Sequence, residues 1–600
     1  MNSGYKTMKK KRIGFYIFFA LLLAIMLAVL ELNRNTLWGF VLLIAVSALY
    51  LSLRGSERLC SRWYGRLGCA LGWIALFVGI LFLTWPPVRA VPAVEGRDLA
   101  KTGIVTVEQG RLQGVVTADG EVEVFAGIPY AKPPVGELRW TEPQKPDPWE
   151  GVLLCDSFAP MSMQPTNLPI YDSLARIIGY HDYRITLSDN YVAPVSEDSL
   201  YLNIWAPAGE RSGLPVYVYI HGGSLQTGQP WYDDYNGESL AREGVIVVNM
   251  GYRLGVFGYY ADEELMAESP NGTTGNYGLL DQIMALEWVR DNIAAFGGDP
   301  DNVTLAGESA GAAAVSALCT SPLASGLFER VILESSTVAS AEPPHSFRLL
   351  DEALESGREL KARYGCGSVA ELRAVPAGKL VGEANTQHHM TVDGYALTET
   401  PYESYKNGRH NEQAILHGYN SRESGPFVLL SQASMKNYEQ RVRRYFGEYA
   451  DEILAIYPAS TDDEAREYWA EIYGAIFFDY PHYCLNRLAA ENGIPVWEYY
   501  FSKDNGRLGP WHSGEEVYCY GRIPADSKLY DSRDRELSAQ MLSYWVNFSK
   551  YGDPNGDGLP SWEQNVGSAR LMEFGEETKM IDEREHALFD VLDRMQGFGA

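Results

Sequence analysis

Three apolar runs in the first 85 residues restrict the fold more than any other feature. They are Ile13–Leu30, Leu37–Leu53 and Leu67–Trp85, each 17 to 19 residues long and free of Asp, Glu, Lys and Arg. At about 1.5 Å of rise per residue, each nearly or fully crosses a hydrocarbon core of about 30 Å. Three such runs in succession are rare in soluble domains. A cleaved signal peptide is an alternative for the first, which follows Lys9, Lys10, Lys11 and Arg12. Against it, the run is long and Glu31-Leu32-Asn33-Arg34 offers no small-residue cleavage site. Basic residues alternate along the segment: Lys6, Lys9, Lys10, Lys11 and Arg12 before the first run, Arg34 alone in the first loop, and Arg54, Arg58, Arg62 and Arg66 in the second. Basic loops stay cytoplasmic, so this order predicts three spans, a cytoplasmic N-terminus and everything after Trp85 on the extracytoplasmic side. Pro86, Pro87 and Pro92 predict a stiff linker. The expected plan is a membrane anchor over 1–85, a linker over 86–102 and a soluble domain over 103–600.

The soluble part is acidic. Residues 1–100 carry a balance of +8 and the whole chain −27, which leaves −35 for residues 101–600. A body of that charge repels nucleic acid, so no nucleic-acid partner is expected. Solubility accounts for the charge, and guidance of cationic substrates is the alternative. With 46% hydrophobic and 21% charged residues the composition is that of a globular protein.

Short β-branched or aromatic runs recur at Val216–Ile220, Val245–Asn249, Val303–Ala306, Val331–Leu333, Ala414–Leu416 and Val496–Phe501. Between the second and third, Leu286, Val289, Ile293 and Phe296 have helical spacing and predict an amphipathic helix over Leu279–Phe296. Alternating strands and helices imply a mostly parallel sheet covered on both faces, with chemistry beyond the carboxyl ends of its strands.

The residues that follow those strands are therefore the informative ones. After Val303–Ala306 comes Gly307-Glu308-Ser309-Ala310-Gly311, then a helix-like Ala312–Cys319. Small residues two positions either side of a serine suit a sharp strand-to-helix turn that lifts the hydroxyl clear of the sheet. After Val216–Ile220 comes His221-Gly222-Gly223-Ser224, whose small residues expose backbone N–H groups as an oxyanion hole requires; a plain glycine turn is the alternative. After Ala414–Leu416 the chain reaches Gly418-Tyr419-Asn420-Ser421-Arg422-Glu423. If Glu423 is the acid in the order nucleophile, acid, histidine, the base is His482, His512 or His586. His482 lies in an aromatic stretch that reads as core and His586 in a charged one that reads as surface, which leaves His512.

Further blocks carry a family resemblance. They are Phe125-Ala126-Gly127-Ile128-Pro129-Tyr130-Ala131 with Pro133-Pro134-Val135-Gly136, and Ser196-Glu197-Asp198-Ser199-Leu200-Tyr201-Leu202-Asn203. Phe296-Gly297-Gly298-Asp299-Pro300, Tyr544-Trp545-Val546-Asn547-Phe548 and Gly552-Asp553-Pro554-Asn555 follow. In this order and spacing, from about Gly103 to Trp562, the chain resembles the type-B carboxylesterases, relatives of cholinesterases and para-nitrobenzyl esterases. The resemblance implies an α/β-hydrolase fold, a mostly parallel central sheet flanked by helices, here preceded by a bundle of three transmembrane helices. It implies Ser309 as nucleophile, Glu423 as acid and His512 as base. It also implies an oxyanion hole from the N–H groups of Gly223, Ser224 and Ala310, and Ser335 as an auxiliary serine. The expected activity is carboxylic ester hydrolysis through an acyl-enzyme, which calls for no cofactor and no metal. Lipase, amidase or carbamate hydrolase activity on the same site is the alternative, and a non-catalytic cholinesterase-like adhesion domain is the reading from another class.

Departures from the family pattern are informative too. Ser224 replaces a usual glycine, and its side chain is expected to narrow the acyl pocket. Ser162 and Ser199 stand where the resemblance implies a disulfide, and Cys366 faces Glu371 where it implies a second. The stretch Gln164–Asp198 holds Tyr171, Tyr180, Tyr183 and Tyr191 but no Trp, which argues against a choline ester. Asp553–Gly558 imitates the start of a calcium loop, but Gln564 stands where the bidentate glutamate is needed. The sequons at Asn271, Asn302 and Asn547 are as frequent as chance allows.

Overall fold

The computed structural model describes residues 2–96, 98–166, 168–177, 190–382, 389–429, 431–506, 509–525, 527–565, 570–582 and 587–597. Two compact units divide the chain, and the division is not linear. The first joins Met1–Arg89 with Thr166–Pro194, and the second joins Ala90–Pro165 with Val195–Ala600.

In the first unit, helices α1 (Asn2–Leu32), α2 (Leu37–Arg54) and α3 (Trp63–Leu83) correspond to the three apolar runs. All three are long and apolar enough to cross a membrane. Their mutual seam is aromatic: the Trp73 ring stacks on Tyr50 at 5.0 Å, and Phe19 packs against both. The Trp73 indole N–H donates to Ser47 Oγ (3.0 Å), so the polar end of the ring is satisfied inside the bundle. At one end the loop before α2 is tied to the end of α3, with Asn35 Nδ2 donating to Thr84 Oγ1 (2.9 Å) and the Thr36 N–H to the Thr84 carbonyl (3.0 Å). A seven-residue helix, α4 (Pro169–Ala175), packs against α1.

The second unit is built on an eleven-stranded sheet. Its strands are β1 (Val115–Val116), β2 (Val122–Pro129), β3 (Tyr201–Pro207), β4 (Leu214–Ile220), β5 (Ile246–Met250) and β6 (Gly298–Glu308). β7 (Arg330–Glu334), β8 (Ala414–Asn420), β9 (Val496–Phe501), β10 (Arg570–Phe574) and β11 (Thr578–Asp582) complete it. The spatial order is β11-β10-β9-β8-β7-β6-β4-β5-β3-β2-β1. The six strands expected from sequence lie side by side and parallel, from β9 to β5. Sequence reading missed the flanks: β10 extends the parallel run, while β1, β2, β3 and β11 pair antiparallel.

Period-two alternation sends each strand into two cores. Val216, Val218 and Ile220 of β4 join the cluster that contains Leu286 and Val289, whereas Tyr217 and Tyr219 join the one that contains Met541 and Trp545. Helix α5 (Tyr277–Asn292) covers the first face, ending in a tighter turn at Ile293–Phe296. The expected face is buried, through Leu286, Val289, Ile293 and Phe296, while Glu287 is half-buried and Arg290 and Asp291 are exposed. Burial reaches further round the helix than the spacing predicts, to Asp281 and Gln282. Asp281 is paired with Arg253 through two hydrogen bonds, of 2.7 and 2.8 Å. Helix α6 (Ala310–Leu318) follows β6 on the same face, and α7 (Ser532–Tyr551) packs Tyr544, Trp545 and Phe548 on the other.

The early sequence blocks act as clamps. Arg139 grips Glu197 through paired hydrogen bonds of 2.6 and 2.7 Å and caps the carbonyls of Arg373 and Val375. Ser162 and Ser199 are buried, with their hydroxyl oxygens 2.9 Å apart, and Ser162 Oγ donates to the Tyr252 carbonyl. A hydrogen-bonded pair thus joins the segments at that point. Glu371, opposite Cys366, accepts from the Gly367 N–H (2.6 Å).

Candidate active site

The carboxyl ends of β4, β6, β7, β8 and the loop beyond β9 converge on Ser309. β6 runs directly into α6, and Ser309 at the junction has φ 55° and ψ −128°. That conformation is costly for a residue with a Cβ, and it aims the hydroxyl out of the sheet. The flanking glycines are required by crowding. A Cβ on Gly311 would lie 2.0 Å from the Ile220 carbonyl oxygen, and one on Gly307 would lie 2.6 Å from the Gly311 carbonyl carbon.

His512 Nε2 lies 2.8 Å from Ser309 Oγ, and His512 Nδ1 lies 2.6 Å from Glu423 Oε2. Glu423 is buried, and its other oxygen accepts from the Asn420 N–H (2.7 Å). The acid loop and the histidine loop are stitched together by the Arg422 N–H to the Pro510 carbonyl (3.0 Å) and by Asn420 Nδ2 to the Trp511 carbonyl (2.8 Å). Phe478 and Phe427 pack on the His512 ring, with centroids 4.8 and 5.1 Å away. Phe478 comes from a π-helical turn, Ala475–Asp479, in the aromatic stretch that otherwise reads as core. His482 in that stretch is buried, with its Nδ1 2.8 Å from His417 Nδ1, and takes no part in the site. His586, Tyr180 and Tyr183 lie outside the described residues.

Gly223 and Ser224 turn with φ of 102° and 57°. Among the described residues no acceptor is paired with the N–H of Gly223, Ser224 or Ala310. Open backbone donors of this kind are what a developing oxyanion needs. The Ser224 side chain is exposed. His221, which precedes the turn, is held neutral because burial lowers it to about 4, and its Nδ1 is 2.9 Å from the Gly222 carbonyl. Ser335 is buried at φ 58° and donates to Glu515 Oε1 (2.9 Å); it also partly offsets the burial that raises the Glu423 carboxyl.

Sequence reasoning missed a set of buried carboxyls. Glu308 Oε1 accepts from Ser513 Oγ (2.6 Å) and lies 3.3 Å from His512 Nε2. Glu515 binds Ser335, Asn420 and Tyr499, and Glu516 accepts from the Tyr219 hydroxyl (2.5 Å). Glu334 accepts from the Trp545 indole (2.8 Å) and the Tyr520 hydroxyl (3.2 Å). Burial pushes Glu308, Glu334 and Glu423 each up to about 8, and raises Glu515 and Glu516 as well. Grouped acids away from water cannot all ionise. Glu423 is the one that faces His512 Nδ1, and bonds from the Asn420 N–H and Ser335 favour its charged form. The available signal was adjacency: Glu308 precedes the candidate nucleophile, Glu334 precedes Ser335, and Glu515 and Glu516 follow His512 by three and four positions.

Residues 101–589 match the sequence model of the carboxylesterase family. The chain belongs to that family. It is 32% identical over 546 residues to the fumonisin B1 esterase of Sphingopyxis macrogoltabida, covering 87% of this chain and 94% of that one. It is 31% identical over 535 residues to carboxylesterase 1C of Mus musculus, covering 83% and 93%. Among solved structures it is similar to a PNB esterase, with a TM-score of 0.68 and 28% identity over 82% of this chain and 99% of that one. The carboxylesterase is accordingly a carboxylic ester hydrolase of the serine type with the α/β-hydrolase fold. The strand order above, antiparallel at its edges and parallel through the middle, is that fold in this chain.

Proposed function

We propose that this carboxylesterase cleaves esters through an acyl-enzyme formed on Ser309. His512 takes the hydroxyl proton as Ser309 Oγ bonds to the ester carbonyl carbon. The oxyanion is held by the N–H groups of Gly223, Ser224 and Ala310, each worth roughly 3 kcal/mol. Collapse expels the alcohol, which leaves with the proton from His512. Water then attacks the acyl-enzyme with His512 again as base, and the acid leaves. Glu423 fixes the imidazole tautomer and stabilises the imidazolium. The observation that carries this reading is the continuous chain Ser309 Oγ, His512, Glu423 at 2.8 and 2.6 Å. Ser309→Ala is expected to lower kcat on a para-nitrophenyl ester by about 10⁵–10⁶-fold with folding unchanged. Retention of more than about one-hundredth of the activity would remove Ser309 from the nucleophile's role.

We further infer that 1–85 anchors the chain in a bilayer with three spans and a cytoplasmic N-terminus, that 86–102 joins the anchor to the hydrolase of 103–600, and that the hydrolase is extracytoplasmic. The three apolar helices and the alternating basic loops support this. Protease added to intact cells should digest or release the hydrolase. Protection until lysis would contradict the orientation and leave the catalytic assignment standing.

A further inference from the structure

The excursion Thr166–Pro194 leaves the hydrolase unit after Pro165 and re-enters it at Val195, yet it belongs to the unit of the three long helices. It is fastened to one end of that unit. Asn190 Nδ2 donates to the Asn35 carbonyl (3.1 Å), the Arg89 N–H to the Val192 carbonyl (3.1 Å) and the Val192 N–H to the Pro87 carbonyl (3.0 Å). The Arg89 guanidinium sits 4.2 Å over the Tyr191 ring, and α4 packs on α1. This is the end where α1 stops, α2 starts and α3 finishes; Arg54, Arg58, Arg62 and Arg66 are all at the other.

Around α4 the excursion turns apolar surface outward. Pro169 and Ser173 of α4 are buried, while Leu168, Tyr171, Leu174 and Ile177, three residues apart, are 40 to 59% exposed. A short amphipathic element on a soluble protein shows the opposite pattern. The same end carries exposed Trp38 and Phe82, with Trp85 stacked on Phe82 at 6.1 Å. Aromatic rings gather where a bilayer meets water, and Tyr171 extends that set.

We propose that residues 168–177, which contain α4, are a membrane-interface element: Leu168, Tyr171, Leu174 and Ile177 lie in the headgroup–acyl boundary of the leaflet where α3 ends, against phospholipid. The proposal rests on reading α1–α3 as spans. Continuity with the apolar surface of those helices identifies the occupant as lipid, since the stripe and the helices share one unit and one end. An interfacial helix buries its apolar face about 5–10 Å into that boundary. This segment of the hydrolase sequence would then be held at the membrane surface independently of the linker.

The test is spin-label depth in the full chain reconstituted in phosphatidylcholine/phosphatidylglycerol nanodiscs, in a Cys69→Ser/Cys366→Ser background with ester hydrolysis retained. Labels go on Leu174→Cys and, as a second reporter, Tyr171→Cys. Ile44→Cys in the middle of α2 and Tyr551→Cys in the hydrolase unit, both exposed, give the apolar and aqueous references. The ratio of oxygen to nickel-chelate accessibility at both reporters should exceed that at Tyr551→Cys by at least about 3-fold and fall below that at Ile44→Cys. Reporters matching Tyr551→Cys while Ile44→Cys is deep would overturn the interface proposal and leave the spans intact. Reporters shielded from both reagents would mean that protein covers the stripe, which also overturns it. An aqueous Ile44→Cys would overturn the spans themselves.

Discussion

Ser309 is held in place by backbone crowding, whereas Glu423 and His512, 89 positions apart in sequence, are held by hydrogen bonds and burial. On the nucleophile side every determinant lies within a few residues: β6, two glycines without room for a Cβ, and α6 packed through Ala310–Ala314. On the acid–histidine side the determinants are distant in sequence: Asn420 against Glu423, Arg422 against Pro510, Phe478 against His512, and a group of carboxyls from four separate segments. The first arrangement fixes a position. The second fixes an orientation, because buried partners from distant segments hold the Glu423 carboxyl against His512 Nδ1.

The two sides should therefore fail differently. The larger effect is expected from Glu423→Gln, which keeps the shape of the acid side and removes its charge. kcat should fall on the order of 10⁴-fold, as for an amide placed behind a catalytic imidazole, with the melting temperature little changed. A fall below about 10-fold would mean that another carboxyl, with Glu308 or Glu515 nearest, serves as the acid.

Gly311→Ala attacks the other side. The new methyl meets the Ile220 carbonyl at 2.0 Å, so β4 and α6 must separate. A stability loss of roughly 3 kcal/mol is expected, read from denaturant unfolding, together with loss of activity. A stable, inactive variant would show that the elbow tolerates the spacing and that only Ser309 alignment suffers. A stable and active one would remove crowding as the cause.

Those two sides also differ in how legible they were. The elbow, the His221–Ser224 turn and the six parallel strands could be read directly, since each is a local pattern of small or β-branched residues. The flanking strands β1, β2, β3, β10 and β11 could not, because joining the sheet depends on β3 pairing with β5 and β10 with β9, partners far along the chain. Glu308, Glu334, Glu515 and Glu516 went unread although they adjoin Ser309, Ser335 and His512 in sequence, because adjacency does not show that a glutamate is buried; Phe478 carried no local mark at all. The spacing in α5 marked its buried face, but the burial of Asp281 and Gln282 beyond that face depends on neighbours far along the chain. Sequence marks Gln164–Asp198 only by its tyrosines and its lack of Trp, and the attachment of Thr166–Pro194 to the apolar helices emerges only from contacts with Asn35, Pro87 and Arg89.

A smaller effect sharpens the electrostatic half. Glu334 has a folded-state pKa near 8 because burial opposes its charge, well above the usual 4.5. The folded state thus keeps a proton that the unfolded chain releases. Its contribution is full below about 4.5 and is lost as the pH rises through about 8, so stability falls across that window. Glu334→Gln, which cannot ionise, should flatten the fall in unfolding free energy between about pH 5 and pH 9, read from denaturant unfolding, by an amount on the order of 1–3 kcal/mol. An unchanged slope would mean that Glu334 stays ionised against Trp545 and Tyr520.

The central claim is that one serine, raised at the β6–α6 junction and paired with His512, carries the acyl group. Treatment of the full chain with a fluorophosphonate ester, followed by peptide mass mapping, tests it most directly. A single phosphonyl adduct on Ser309, absent from Ser309→Ala and lost when His512 is replaced by alanine, is the predicted result. An adduct on Ser335 or Ser513, or undiminished labelling of Ser309→Ala, would contradict it.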